Sequence, residues 1–299
     1  MTEQARRTAG TLGSQTAAGR APQAVRVVVA SDLVVDRATI AEVASRAASA
    51  VGVGCQLVYV GDRATLSGEL AVAAGDRSAV VLVPGPLGGE ELADEVVAAG
   101  AAGQPLVWLD LGAAVGPRAR YLDPVRICSI RGRGIGGLAW AVRSAVARAS
   151  WPVTAVAYGP GPEQVGDLRL PTRRGGPVPV CVLLHGGHWR EIWERDLMDE
   201  LAVDLTRRGF ATWNLEYRRV GPSGGGWPAT FADTAAGIDH LVGLADPHGL
   251  DLERVVLAGH SAGGQLAMWA ATRRALPSFA PGAAPAIRAA LVVSLAGVP

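Results

Sequence analysis

The sequence holds little that would take it to a membrane, a nucleic acid or an oxidising compartment. No window approaches the roughly 18 uninterrupted apolar residues of a membrane span, and the runs around Ala93–Gly100 and Ala289–Val298 are too short. Met1–Pro22 lacks the continuous apolar stretch of a signal peptide. It is rich in Ala, Gly, Thr, Gln and Arg, the composition of a disordered leader. With a net charge of +1 and no long basic or acidic run, there is no electrostatic footprint for nucleic acid or an anionic membrane. The three cysteines, Cys55, Cys128 and Cys181, are widely spaced and form no CxxC pair, which excludes a disulfide framework and a zinc site. They read as reduced core residues of a cytoplasmic protein without metal or cofactor. Residues 1–150 contain neither histidine nor asparagine, and residues 262–299 contain no histidine, aspartate or glutamate. Both gaps bear on the chemistry below.

What is present is apolar. Of 299 residues 49% are hydrophobic and 18% charged, enough for two modest domains with sizeable cores. Strands are expected at residues 25–30, 56–60, 79–83, 105–110 and 126–130, with helices at 38–51, 66–74, 90–100 and 137–149 between and after them. Solidly apolar strands alternating with helices predict a parallel, doubly wound sheet of about five strands over residues 23–150. Ser150-Trp151-Pro152 breaks the pattern. A second α/β pattern fills residues 151–299. Residues 153–158 and 167–170 read as an antiparallel pair, and the turn Arg173-Arg174-Gly175-Gly176-Pro177 follows. Strands are expected at 178–184, 211–215, 254–258 and 289–295, and helices at 195–208, 231–244 and 261–274.

One stretch carries chemistry by its context. In Val255-Val256-Leu257-Ala258-Gly259-His260-Ser261-Ala262-Gly263-Gly264 a buried strand runs directly into G-x-S-x-G and then a helix, the arrangement of a nucleophile elbow. Small flanking residues let the turn close, and the helix N-terminus sets free N–H groups and a positive dipole beside Ser261. The N–H of Ala262 is the expected oxyanion donor. Upstream, Leu183-Leu184-His185-Gly186-Gly187-His188-Trp189 follows another buried strand. Gly186 and Gly187 leave backbone N–H groups open to an oxyanion. His185 reads as a hydrogen bonder that shapes the loop. With it, His188, Trp189 and His260 are candidates for the pocket, and plain packing is an equal alternative for Trp189.

Together with Glu216-Tyr217-Arg218-Arg219 and Trp227-Pro228, these motifs make residues 165–299 resemble the α/β-hydrolase superfamily, in its branch of small esterases and kynurenine formamidase-like enzymes. The resemblance implies metal-free hydrolysis of a small ester or amide through an acyl-enzyme at Ser261. It also implies an acid and a histidine after the serine, and residues 262–299 supply neither, since all five histidines precede Ser261. A chain cut before the rest of its sheet, inactive for want of the triad, is the expectation. A non-catalytic scaffold, or a domain completed by a partner, is the alternative.

The first half has a resemblance of its own. Val81-Leu82-Val83-Pro84-Gly85, Leu106-Val107-Trp108-Leu109-Asp110 and the run Ser129–Val142 look like a type II 3-dehydroquinate dehydratase, which implies a flavodoxin-like sheet and an oligomer. The lyase chemistry does not carry over. Val83 stands where that family has asparagine, Gly89 and Asp110 stand where it has histidines, and the loop after Ala30 has Arg37 but no tyrosine, Tyr59 and Tyr121 lying elsewhere. Gly132-Arg133-Gly134-Ile135-Gly136-Gly137 fits the tail of that family better than a dinucleotide fingerprint. Residues 23–150 thus read as a catalytically silent domain that oligomerises the hydrolase or shapes its substrate entrance.

Overall fold

The computed structural model describes residues 20–85, 99, 105–111, 127–172 and 175–298. The leader, the helix expected at 90–100, Gly89, Tyr121 and the pair Arg173-Arg174 lie wholly or mostly outside the described residues. The first sheet contains β1 (Ala24–Ala30), β2 (Gly54–Val60), β3 (Ala79–Val83), β4 (Leu106–Asp110) and β5 (Cys128–Arg131), all parallel, in the order β2-β1-β3-β4-β5. That is the flavodoxin-like order. β3 is buried at all five residues, as a strand covered on both faces must be. Helices α1 (Arg37–Ala50) and α3 (Gly136–Ser150) pack together on one face of this sheet, while Leu66 and Leu70 of α2 (Arg63–Asp76) pack on Val28, Val80 and Leu82 of the other. Asp36 and Asp62 start α1 and α2 by accepting the amides of Thr39 and Thr65 at 3.0 and 2.8 Å.

The second sheet holds six strands, β6 (Thr154–Ala157), β7 (Val165–Arg169), β8 (Val178–Leu184), β9 (Ala211–Leu215), β10 (Leu250–His260) and β11 (Leu291–Leu295). Their order is β11-β10-β8-β9-β7-β6, with β6 and β7 antiparallel to their neighbours and the other four strands parallel. The chain is thus α/β throughout, a flavodoxin-like sheet followed by a sheet of α/β-hydrolase type. β8 and β10 lie side by side, with Leu184 opposite Gly259. The two glycine-bearing turns picked out in the sequence therefore leave the carboxyl ends of neighbouring strands, where ligands bind in open α/β sheets.

Three elements differ from expectation. The helix expected over 195–208 begins as a 3-10 turn, Arg195–Met198, before α4 (Asp199–Arg207), because Arg195, Asp196 and Asp199 point inward to ionic partners. The helix expected over 231–244 is two, α5 (Ala229–Asp239) and α6 (Leu241–His248), which meet at His240. β10 is twice the expected length and its pairing slips between Asp251 and Val255. β11 is an edge strand on which Leu291 and Leu295 stay exposed. No helix among the described residues is long and apolar enough to cross a membrane.

Candidate active site

β10 ends at His260 and α7 (Ala262–Thr272) begins two residues later, so Ser261 alone makes the turn. It does so at φ 52°, ψ −117°, a conformation that costs a non-glycine residue on the order of 1–3 kcal/mol and persists only where surroundings impose it. The surroundings are visible. A Cβ on Gly259 would lie 2.0 Å from the carbonyl oxygen of Gly263, and a Cβ on Gly263 would lie 2.0 Å from that of Leu184. Ser261 N–H donates to Leu295 O at 2.9 Å. Its side chain is half-buried, and Ala262 behind it is fully buried at the first position of α7, whose leading N–H groups have no acceptor within the helix.

The loop after β8 abuts this turn. A Cβ on Gly186 would sit 2.7 Å from His260 O, 2.8 Å from His260 Nδ1 and 3.1 Å from Ser261 Cβ. Only glycine lets the loop come this close. Gly187, His188 and Trp189 then follow at φ 113°, 53° and 56°, three consecutive left-handed residues that turn the backbone sharply. Arg190 N–H closes the turn on Gly187 O at 3.0 Å.

His185 underlies this loop and is wholly buried. Its Nδ1 lies 2.8 Å from Gly186 O and its Nε2 lies 3.0 Å from Glu216 Oε1, and its ring stacks on Tyr217 with centroids 4.3 Å apart. The Tyr217 hydroxyl donates to His185 O at 2.6 Å. Burial, and then the Arg219 guanidinium, push its pKa down to about 3, so the ring is neutral at physiological pH. It supports the loop from beneath and does not line an open pocket, which corrects its place among the pocket candidates. His188 and His260 are exposed at the mouth. Trp189 is half-buried against the core of the second sheet, and its carbonyl accepts Val220 N–H at 2.7 Å.

Beneath the loop lies what sequence reasoning missed. A contiguous run of buried charges passes from Arg169 to Asp199 (2.6 Å), to Arg148 (3.1 Å), to Asp167, to Arg195 (3.0 Å) and on to Glu216 (3.8 Å). It continues through Arg219 to Glu163 (2.7 Å) and Glu194 (3.8 Å), and ends on Arg131 (3.7 Å from Glu163). Arg133 pairs separately and bidentately with Asp196, at 2.7 Å for each bond. Burial alone would raise the Asp167 carboxyl, but Arg148, Arg195 and Arg169 outweigh it and hold the group well below the usual carboxylate range. The chain contains no lysine, and the planar, multiply donating guanidinium is the cation suited to such sites. Arg131, Arg133 and Arg148 come from β5, its turn and α3, so the seam joins the first sheet to the second. The only hint in the sequence was charge inside strand and helix patterns, such as Asp167 and Arg169 in β7.

At the strand ends of the first sheet, Val83 and Asp110 are as the sequence has them. The glycine run before α3 is occupied, since Arg133 is tied down and its charge already matched. Cys128 and Cys181 are buried and Cys55 half-buried, none in a disulfide, and burial pushes the Cys181 thiol up to about 12. No group of three or more potential metal ligands occurs among the described residues.

Residues 167–297 match the family model described as BD-FAE, a span that includes both turns. No curated protein matches the chain. Among solved structures it is similar to a bifunctional GH43-CE protein of Bacteroides eggerthii, at 23% identity and TM-score 0.41, over 45% of this chain and 19% of that one. It is also similar to a bacterial heroin esterase, at 30% identity and TM-score 0.34, over 38% of this chain and 36% of that one. Esterase B from Lactobacillus rhamnosis gives 25% identity and TM-score 0.45, over 50% of this chain and 48% of the other. The chain thus spans between about a fifth and a half of the length of these proteins.

Proposed function

We propose that the chain carries the nucleophile half of a serine hydrolase acting on small carboxylic esters or amides, with Ser261 as the nucleophile. The observation that carries this reading is the strained Ser261 backbone at a helix N-terminus, with Gly186 brought against it from the neighbouring strand. Residues 151–299 form the hydrolase unit and residues 23–150 a unit without chemistry of its own.

The Ser261 hydroxyl attacks the acyl carbon and a tetrahedral oxyanion forms. The N–H groups of Ala262, at the start of α7, and of the Gly186–Gly187 loop would receive that charge, backed by the α7 dipole. Collapse expels the alcohol or amine and leaves an acyl-serine, which water then hydrolyses. The serine proton needs an acceptor. His185 is committed to its own loop, and residues 262–299 hold no histidine or carboxylate. These 299 residues are therefore expected to turn over slowly on their own, and the commitment of His185 to its own loop favours a second reading, a non-catalytic scaffold that keeps the nucleophile turn.

Labelling with a fluorophosphonate, followed by peptide mapping, separates the two. Modification at Ser261, lost in Ser261→Ala together with any hydrolysis of p-nitrophenyl acetate or a formamide, is the expected result; removing such a nucleophile costs up to about 10⁶ in kcat where the rest of the machinery is present. Hydrolysis that survives Ser261→Ala overturns the assignment. An unreactive Ser261 leaves the scaffold reading in its place.

A further inference from the structure

We infer that Arg133, which belongs to the first sheet's last turn, is a positioning residue for the Gly186–Gly187 loop of the second. This rests on the reading of that loop as an oxyanion hole. Three observations converge on it. First, the Arg133 side chain is 3% exposed and spends its donors on one short segment of the second unit: Nε on Ile192 O at 2.5 Å, Nη1 and Nη2 on the two oxygens of Asp196 at 2.7 Å each. Second, its guanidinium lies 4.7 Å over the ring of Trp193, which lies between those two anchors in the chain, and Trp140 of α3 meets the same indole edge-on at 6.2 Å. Third, Trp193 is the wall of Gly187: a Cβ on Gly187 would stand 2.3 Å from Trp193 Cβ and 2.5 Å from its Cγ.

The segment is held from its other side too. Glu216 accepts the Arg195 N–H at 2.9 Å while its second oxygen meets His185. Gly187 lies at a left-handed φ where its own backbone preference is weak. The direction of its N–H is therefore set by what flanks it, and the nearest flank is an indole fixed by a guanidinium from the other sheet. A donor displaced by about 1 Å loses much of its effect on a developing oxyanion. The first unit, silent in its own strand-end loops, thus acts on the second unit's chemistry through one arginine.

The test uses the full chain and two readouts. Hydrogen exchange followed by mass spectrometry is compared for the wild type, Arg133→Met and Arg133→Lys. Amides of 185–193 are expected to exchange about tenfold faster or more in Arg133→Met. Peptides covering 178–184 and 255–266 should keep wild-type protection, and Arg133→Lys should fall between, since it keeps the charge but not the fork. Unchanged exchange at 185–193 overturns the inference, and so does equal acceleration everywhere, which would mean general loosening. Where Arg133→Met does not fold, Arg133→Lys decides: wild-type exchange in it counts against the clamp. In parallel, hydrolysis of p-nitrophenyl acetate should show kcat lowered with KM unchanged in Arg133→Met. A wild type whose Ser261 neither hydrolyses the ester nor takes the fluorophosphonate label removes the hydrolase reading, while the exchange data still decide whether Arg133 orders the loop.

Discussion

Two strand-to-helix turns in this molecule have similar composition and opposite uses. Between β5 and α3, positive φ falls on Gly132 (72°) and Gly134 (51°), where it costs little, and Arg133 is free to reach into the neighbouring unit. Between β10 and α7 the positive φ falls on Ser261, while Gly259 and Gly263 are kept for close contact with backbone. In the first turn glycine relieves strain. In the second the strain stays on Ser261, the proposed nucleophile, and the glycines hold it there. Glycine content alone does not separate an anchoring turn from a reactive one; which residue bears the unusual φ does.

The largest effect expected from breaking this comparison lies under both turns. Arg148→Met leaves Asp167 and Asp199 buried without a shared partner, and removing one member of such a buried pair costs about 3–5 kcal/mol. Urea unfolding should show it, and a loss below about 1 kcal/mol would mean the seam is solvated and not structural. Next comes His185. Its folded pKa of about 3 lies below the ordinary imidazole value of 6.5, so the unfolded chain binds the extra proton first as pH falls. Its contribution is complete above pH 6.5 and is lost as pH drops toward about 3, by a few kcal/mol in all. Asp167, also held low, adds its loss only below about pH 4. Unfolding measured between pH 7.5 and 4.5 should therefore slope in the wild type and flatten in His185→Gln. The smallest effects compare the turns directly. Ser261→Gly should stabilise by about 1 kcal/mol through relief of strain, and Gly134→Ala, with open space around its Cβ, should destabilise by about the same amount. Equal signs for the two would dissolve the distinction drawn above.

Much of this was legible in the sequence, and for physical reasons. β3 and β8 lie where their apolar runs placed them, because a strand covered on both faces leaves no charged position to blur its ends. The turn at Ser261 was legible because it requires small neighbours at fixed offsets, and the approach of Gly186 because only glycine can come so close. Arg195–Met198 was misread as α-helix because its charges look like a solvated first turn and are in fact buried. The seam itself was invisible: Asp167, Arg169 and Glu216 become partners only when β7 and the end of β9 meet elements from distant sequence. Nor could spacing reveal Arg133, whose contacts lie 59 and 63 residues away.

The seam also governs how the two halves can be inherited. In it six carboxylates and three guanidinium groups of the later segment, a surplus of three negative charges, face Arg131, Arg133 and Arg148. A half exchanged for a relative's with a different count would bury an unmatched ion, at a cost comparable to the whole stability of a domain. Drift in one half is tolerated only when answered in the other. These positions should therefore change in concert across lineages, and a transplanted half should dock only when its three arginines travel with it.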